Sequence, residues 1–257
     1  MLKRLSMLLG LVVCLCVWTG PALGQTWDHL HLTVSDTEEA AKWYGEHFGG
    51  KVAKVGPFDA VWFGTNLIKF RSGDAEVLGS ATSAVDHIAF SVEDASAKAD
   101  ALREAGVNVG DANRRRPDFF FGTDPWGTKF EILEDEDLLG FHHVHLRSTL
   151  PKTEVEWYAK VFGGTPKAFK DAVNLKAIRY GDMYLFVKTA VRPPAPTDGR
   201  SLDHVGWRFK DFDATIKKLK GLDVKFTMEA TEVGDHRIAY IESPSGVKIE
   251  IVEASGE

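Results

Sequence analysis

The chain repeats itself, and repetition of this kind constrains the architecture before any single motif does. The stretch "DHLHLTVSDTEEAAKWYGEHFGG" (28–50) falls on "HHVHLRSTLPKTEVEWYAKVFGG" (142–164) without a gap. His29, His31, Leu32, Trp43, Tyr44, Phe48, Gly49 and Gly50 all meet identical residues there. A second pair aligns "DHIAFSVEDASAKADALREAGVNV" (86–109) with "DHVGWRFKDFDATIKKLKGLDVKF" (203–226), and "DPWGTKFEILE" (124–134) resembles "SPSGVKIEIVE" (243–253).

Each unit opens on a short alternating strand, continues into an amphipathic helix, and ends in short strands. In the first helix Ala40, Trp43, Tyr44, His47 and Phe48 recur at helical spacing. Trp157, Tyr158, Val161 and Phe162 do so in the third unit, and Gly49-Gly50 and Gly163-Gly164 stop these helices. The pattern predicts an α+β fold of four tandem βαβββ modules paired into two curved half-barrels. Residues 25–136 form the first domain and 137–257 the second, each of two consecutive modules. Linkers fit at 72–84, 134–140 and the proline-rich 191–199.

Strand side chains alternate between faces. Leu30, Leu32 and Val34 share one face of the first strand, and His29, His31 and Thr33 the other. His87, His143 and His204 open the corresponding strands, and Glu131 and Glu250 lie on the closing strands. Packing alone favours apolar residues there, so recurrence of histidine at one position in four modules points to metal binding. Pairing consecutive modules gives two ligand sets: His29, His87 and Glu131, then His143, His204 and Glu250. Two imidazoles and a carboxylate on one face of an ion form the triad of non-haem Fe(II) sites. Fe(II) is therefore the first choice of divalent ion, with Mn(II) and Zn(II) as alternatives. His31 and His145 sit two residues from these ligands, placed to orient them or the substrate. His142 is expected to face away, at the surface.

The N-terminus reads as a signal peptide, residues 1–24. Lys3 and Arg4 precede an apolar run from Leu5 to Trp18, and Ala22-Leu23-Gly24 supplies small residues for cleavage. An exported protein, periplasmic or secreted, follows, with no membrane span after cleavage. Both cysteines, Cys14 and Cys16, lie in that segment, so the cleaved chain has neither disulfide nor thiol chemistry. The formal net charge is −6, and the one basic cluster, Arg114-Arg115-Arg116, is short. Nucleic acid is thereby excluded as a partner. A small-molecule substrate is expected, and a homodimer is compatible with the sequence.

The four units, the histidines at the strand starts and the "DPWGTKFE" ending resemble the vicinal oxygen chelate superfamily over nearly the whole cleaved chain. That group includes glyoxalase I, bleomycin- and fosfomycin-resistance proteins and extradiol catechol dioxygenases. Glyoxalase-type sites carry a further Glu on the last strand of the odd-numbered unit, where this chain has Lys69 and Phe186. Extradiol dioxygenases are similar to the second half, with His143, His204 and Glu250 as ligands. Their tyrosine ten residues before the Glu corresponds to Tyr240, whereas Phe121 takes that place before Glu131. The resemblance implies that Tyr240 hydrogen-bonds a chelated substrate oxygen and that Arg147 and Arg208 hold an anionic substrate. The acid–base histidine of ring-cleaving members has no match ahead of His204, leaving His236 or His145 for that role. An extradiol-type dioxygenase is the leading expectation. A glyoxalase- or lyase-like metalloenzyme and a non-catalytic resistance-type binding protein are the alternatives.

Overall fold

The computed structural model describes residues 25–73, 77–112, 118–170 and 172–254. The expected signal peptide and Arg114-Arg115-Arg116 lie outside the described residues. The first module comprises β1 (Thr26–Val34), α1 (Thr37–Phe48), β2 (Lys51–Val55), β3 (Phe58–Phe63) and β4 (Asn66–Ser72). The second comprises β5 (Val85–Ser91), α2 (Ala95–Glu104), β6 (Asn108–Val109), β7 (Phe119–Thr123) and β8 (Lys129–Leu133). In the third are β9 (Gly140–Ser148), α3 (Pro151–Phe162), β10 (Lys167–Phe169), β11 (Ala172–Tyr180) and β12 (Met183–Thr189). The fourth holds β13 (Leu202–Phe209), α4 (Phe212–Gly221), β14 (Lys225–Val233), β15 (His236–Glu242) and β16 (Lys248–Glu253). This is the expected α+β arrangement of four βαβββ modules.

Local chemistry starts and stops the helices where the pattern predicts. Asp36, Asp94 and Asp211 each accept a hydrogen bond from a backbone N–H of the first turn, those of Glu39, Ala97 and Ala214. The third helix instead opens on Pro151, whose missing N–H is no loss at that position. Gly49 ends α1 in the left-handed region, at φ 76°.

The modules do not join into sheets in the order in which they are written. One eight-stranded sheet runs β14-β15-β16-β13-β1-β4-β3-β2 and the other β10-β11-β12-β9-β5-β8-β7-β6. Modules one and four make the first sheet, through antiparallel β1 and β13; modules two and three make the second, through antiparallel β5 and β9. The expected half-barrels of consecutive modules are thus replaced by half-barrels that each draw on both halves of the chain. Two linkers carry the crossing and run side by side: Ala84 N–H donates to the Ala195 carbonyl at 2.8 Å, and Ser201 N–H to that of Leu78 at 2.9 Å.

Consecutive modules share a hydrophobic core instead. Phe48 of α1 stacks on Phe90 of β5 with centroids 3.9 Å apart, and Phe162 of α3 stacks on Trp207 of β13 at 4.1 Å. Each such pair contributes about 0.5–1.5 kcal/mol beyond the area it buries. The Tyr44 hydroxyl reaches from α1 to Asp124 of the second module at 2.7 Å. The helices therefore bind neighbouring modules back to back, and the polar strand faces are left to line the two sheets' interiors.

Candidate metal centres

All the proposed histidine and glutamate ligands gather into two clusters, but in combinations set by the sheets. In the first cluster the imidazoles of His29, His31 and His204 converge. Glu250 joins them, its Oε2 3.0 Å from His29 Nε2 and 3.4 Å from His204 Nε2. In the second, ligand atoms of His87, Glu131, His143 and His145 all lie within 4.8 Å of one another. Glu131 Oε2 is there 2.9 Å from His87 Nε2 and 3.9 Å from His143 Nε2. The expected sets, His29 with His87 and His143 with His204, are divided between different sheets. The register explains the regrouping: β1 and β13 bring His31 opposite His204, and β5 and β9 bring His145 opposite His87.

Each cluster is buried. His29 and His87 are 0% exposed, and Glu250 retains 8%. Four buried ring nitrogens, Nε2 of His29, His31, His143 and His145, make no hydrogen bond within the protein. Leaving such atoms unpaired costs about 1–3 kcal/mol each. His29 Nε2 is only 3.0 Å from a carboxylate oxygen, yet the two are not aligned for a hydrogen bond. That is the geometry of two donors aimed at a common third point. With metal–nitrogen bonds of about 2.0–2.1 Å, neighbouring donors on one ion stand roughly 3.0–3.4 Å apart. The spacings of 2.9 to 3.4 Å between Glu250 and His29, Glu250 and His204, and Glu131 and His87 fit a divalent ion, whereas His143 stands wider of Glu131 at 3.9 Å.

The alternation rule breaks beside the histidines, at β-bulges. Asp28 of β1, Asp86 of β5, Asp203 of β13 and His142 of β9 each fall at a shift in register, one extra residue without a partner across the ladder. A bulge brings two successive side chains toward one face. Asp28 Oδ2 thereby accepts from His29 Nδ1 at 2.6 Å, Asp86 Oδ1 from His87 Nδ1 at 2.7 Å, and Asp203 Oδ1 from His204 Nδ1 at 2.6 Å. Such a carboxylate fixes the tautomer and leaves the Nε2 lone pair free for an ion. His142 takes the aspartate's place behind His143, with ring nitrogens 2.8 Å apart, and donates from Nε2 to Asp135 at 3.0 Å. It is therefore fully buried rather than a surface residue. These backing residues were not singled out in the sequence, although "DH" recurs at 28–29, 86–87 and 203–204.

The electrostatics follow from this arrangement. Burial alone would raise the carboxyl of Asp28, but hydrogen bonds from His29 and Arg208 hold it well below the usual range. Asp86 is held down likewise by His87 and Lys129, and Asp203 by His204. Burial opposes ionisation of Glu250 too, and His204 and His29 overcome it. Burial depresses His31, His143 and His145, aided by the charges of their histidine neighbours. His29 goes the other way: burial opposes its charge, but the carboxylates of Asp28 and Glu250 raise it. The first cluster thus sets the neutral imidazole of His31 beside the ionised Glu250, and the second holds His143 and His145 neutral, as metal ligation requires.

Other expected residues divide. Tyr240 lies across the strand pair from Glu250, its ring 5.3 Å from that of His204. Phe121 holds the matching place opposite Glu131, 5.2 Å from His87. Burial, then the Glu250 charge, raises the Tyr240 hydroxyl, keeping it protonated and a donor. A cavity of about 360 Å³ lies beside Tyr240 and is lined by Met228 and Lys248. His236 belongs to neither cluster: it is partly exposed, at the start of β15, and pairs with Asp235 at 3.1 Å. Four residue steps along the strand separate it from Tyr240, about 13 Å. Arg208 and Arg147 are engaged by the backing carboxylates, at 2.6 Å to Asp28 and 3.2 Å to Asp86. Lys69 sits across from His31 with Nζ 3.4 Å from His29 Nδ1, and Phe186 stacks on His143 at 4.3 Å.

Comparison with known proteins agrees with this architecture. The Glyoxalase/Bleomycin resistance protein/Dioxygenase superfamily matches residues 26–132 and again 140–251. Glyoxalase I from Zea mays superposes with a TM-score of 0.70 at 18% identity, over 89% of this chain and 92% of that one. A candidate dioxygenase from Bacillus subtilis subsp. subtilis str. 168 gives 0.65 at 17%, over 90% and 86%. No match was found among curated proteins.

Proposed function

The chain belongs to the Glyoxalase/Bleomycin resistance protein/Dioxygenase superfamily, and we propose that it is a metal-dependent enzyme holding a small substrate by two vicinal oxygens. The working site is the cluster of His29, His204 and Glu250, and the chemistry is dioxygenase-like, on a catechol-type substrate. The observation that carries this reading is the Tyr240 ring beside His204, across the strand pair from Glu250, at the one cluster with a hydroxyl in that place. A divalent ion bound there, Fe(II) by the chemistry of the donors, supplies Lewis acidity that lowers the pKa of chelated oxygens and activates oxygen.

The chain's own residues do the rest. Asp28 and Asp203 keep the protons of His29 and His204 on Nδ1, so that both Nε2 atoms offer lone pairs. Glu250, held ionised, offsets part of the ion's charge. Tyr240, held protonated, donates a hydrogen bond to a substrate oxygen that becomes negative. The buried walls exclude water from these groups. The cluster of His87, His143 and Glu131 has Phe121 in place of the tyrosine and binds an ion without matching turnover.

Hemithioacetal isomerisation is the second reading, favoured by Lys69. Burial lowers its ammonium pKa against the pull of Asp28, which suits a group that exchanges a proton with substrate. Purified protein is tested for bound metal, then for oxygen uptake with catechols and isomerisation of hemithioacetals in parallel. Oxygen uptake lost in Tyr240→Phe supports the first reading. Isomerisation without uptake supports the second, and protein that binds ligands but no metal refutes both in favour of a binding module.

We further propose export. Support comes from Lys3 and Arg4 ahead of the apolar run and from confinement of both cysteines to that segment. N-terminal sequencing of the protein from its native cells tests this, with Gln25 as the expected first residue.

A further inference from the structure

We infer that His31 and His145 are themselves metal ligands, so that each centre is held by three imidazoles and one carboxylate. The inference rests on reading both clusters as metal centres, and it goes beyond the two-imidazole triad by adding a donor from the same strand as another ligand.

Position comes first. His29 and His31 are two residues apart on β1, hence on one face, and His143 and His145 repeat this on β9. His31 Nδ1 lies 3.1 Å from His204 Nε2, and His145 Nδ1 lies 3.1 Å from His87 Nε2. The same contact at the same distance occurs in both sheets. It matches the roughly 3.0 Å separating adjacent donors of a six-coordinate ion with bonds of about 2.1 Å.

Protonation comes next. Asp203 and Asp86 hold the protons of His204 and His87 on Nδ1, so the Nε2 atoms facing His31 and His145 carry lone pairs. A hydrogen bond from His31 Nδ1 to His204 Nε2 would occupy the lone pair that the metal needs. An ion between the rings uses both facing lone pairs.

Composition closes the argument. The adjoining strands offer no fourth ligand, since Lys69 and Phe186 stand opposite His31 and His145. The third imidazole makes up the donor count from the other side.

X-ray absorption of the zinc-loaded full chain counts imidazoles per ion without reference to activity. The expected count is three per zinc in the wild type and two in His31→Gln/His145→Gln, with affinity in each single variant lower by at least tenfold at its own centre. A merely orienting role would lower affinity as well, but would leave the count at two before and after substitution, and that result overturns the inference. Should the variants fail to fold, the wild-type count alone decides. Three imidazoles per zinc, with neither oxygen uptake nor isomerisation in the Fe(II)-loaded protein, refutes the proposed function and upholds the ligand set; no bound zinc overturns both.

Discussion

Gly206 is the position where a single methyl group should disable one centre and spare the other. It lies opposite His29 across the β1–β13 ladder. A Cβ placed there would stand 2.6 Å from His29 Cε1, 2.7 Å from Nδ1 and 3.2 Å from Nε2. Unstrained carbon contacts need about 3.5–4.0 Å, so in Gly206→Ala the imidazole must withdraw by about 1 Å. A metal–nitrogen bond tolerates only about 0.2 Å, and the 2.6 Å hydrogen bond to Asp28 is strained as well. The second sheet already contains the altered arrangement, because Ala89 faces His143. There Nε2 stands 3.9 Å from the glutamate rather than 3.0 Å. Gly206→Ala should therefore weaken metal binding at the first centre on the order of 10–100-fold, the range seen when a ligand's orientation is lost. Overpacking should lower stability by about 1–3 kcal/mol. Calorimetric titration with Zn(II) measures both sites in one experiment. Wild-type protein should bind two ions, and the variant should retain only the second centre's affinity. Two undisturbed sites in Gly206→Ala would refute the placement of His29 at a metal.

Further outcomes follow from the same geometry. Asp203→Asn removes the acceptor behind His204 and should lower affinity at the first centre about 10–100-fold while the second titrates normally. Tyr240→Phe should reduce turnover on the order of 100-fold or more, with metal affinity unchanged, since only a donor to the developing charge is lost. Removing metal with a chelator should lower the melting temperature by roughly 10 °C, because each site saturated at about 100 times its Kd contributes about 2.7 kcal/mol. The fourth outcome concerns Asp124, which accepts from Tyr44, Trp126 and Thr128 and is pushed up to about 6 by burial. A carboxyl raised above its unfolded value near 3.9 keeps its proton in the native state, so it destabilises the fold above pH 6 and less as pH falls toward 4. Wild type should lose on the order of 1 kcal/mol relative to Asp124→Asn between about pH 5 and pH 7.5, measured by urea denaturation.

Modules and ligands were legible because both follow from periodicity. Histidine recurring on the polar face of an opening strand, and glutamate on a closing strand, mark the site residues without reference to any partner. Pairing was not legible. All four modules present similar strands, and nothing in the repeat distinguishes a β1–β5 edge from β1–β13. The choice is made by tertiary contacts, above all Phe48 on Phe90 and Phe162 on Trp207, which commit consecutive modules to back-to-back packing. The aspartates behind the histidines were hidden for a different reason. Strict alternation places Asp28 and His29 on opposite faces, and only the bulge, a feature of pairing, brings them together. His142 was misplaced on the same ground. Tyr240 was marked by the resemblance to extradiol dioxygenases, whose tyrosine stands at this distance from the glutamate, and one strand pair preserves that relation, whereas the strand-end His236 had no such register to hold it near the ligands.

Metal stoichiometry in paired variants tests directly whether each centre is assembled across the two halves of the chain. With centres built from modules one and four and from two and three, His29→Gln/His204→Gln keeps one ion per chain, and His29→Gln/His87→Gln keeps none at concentrations that saturate the wild type. Centres built from consecutive modules would give the reverse: one ion retained in His29→Gln/His87→Gln and none in His29→Gln/His204→Gln.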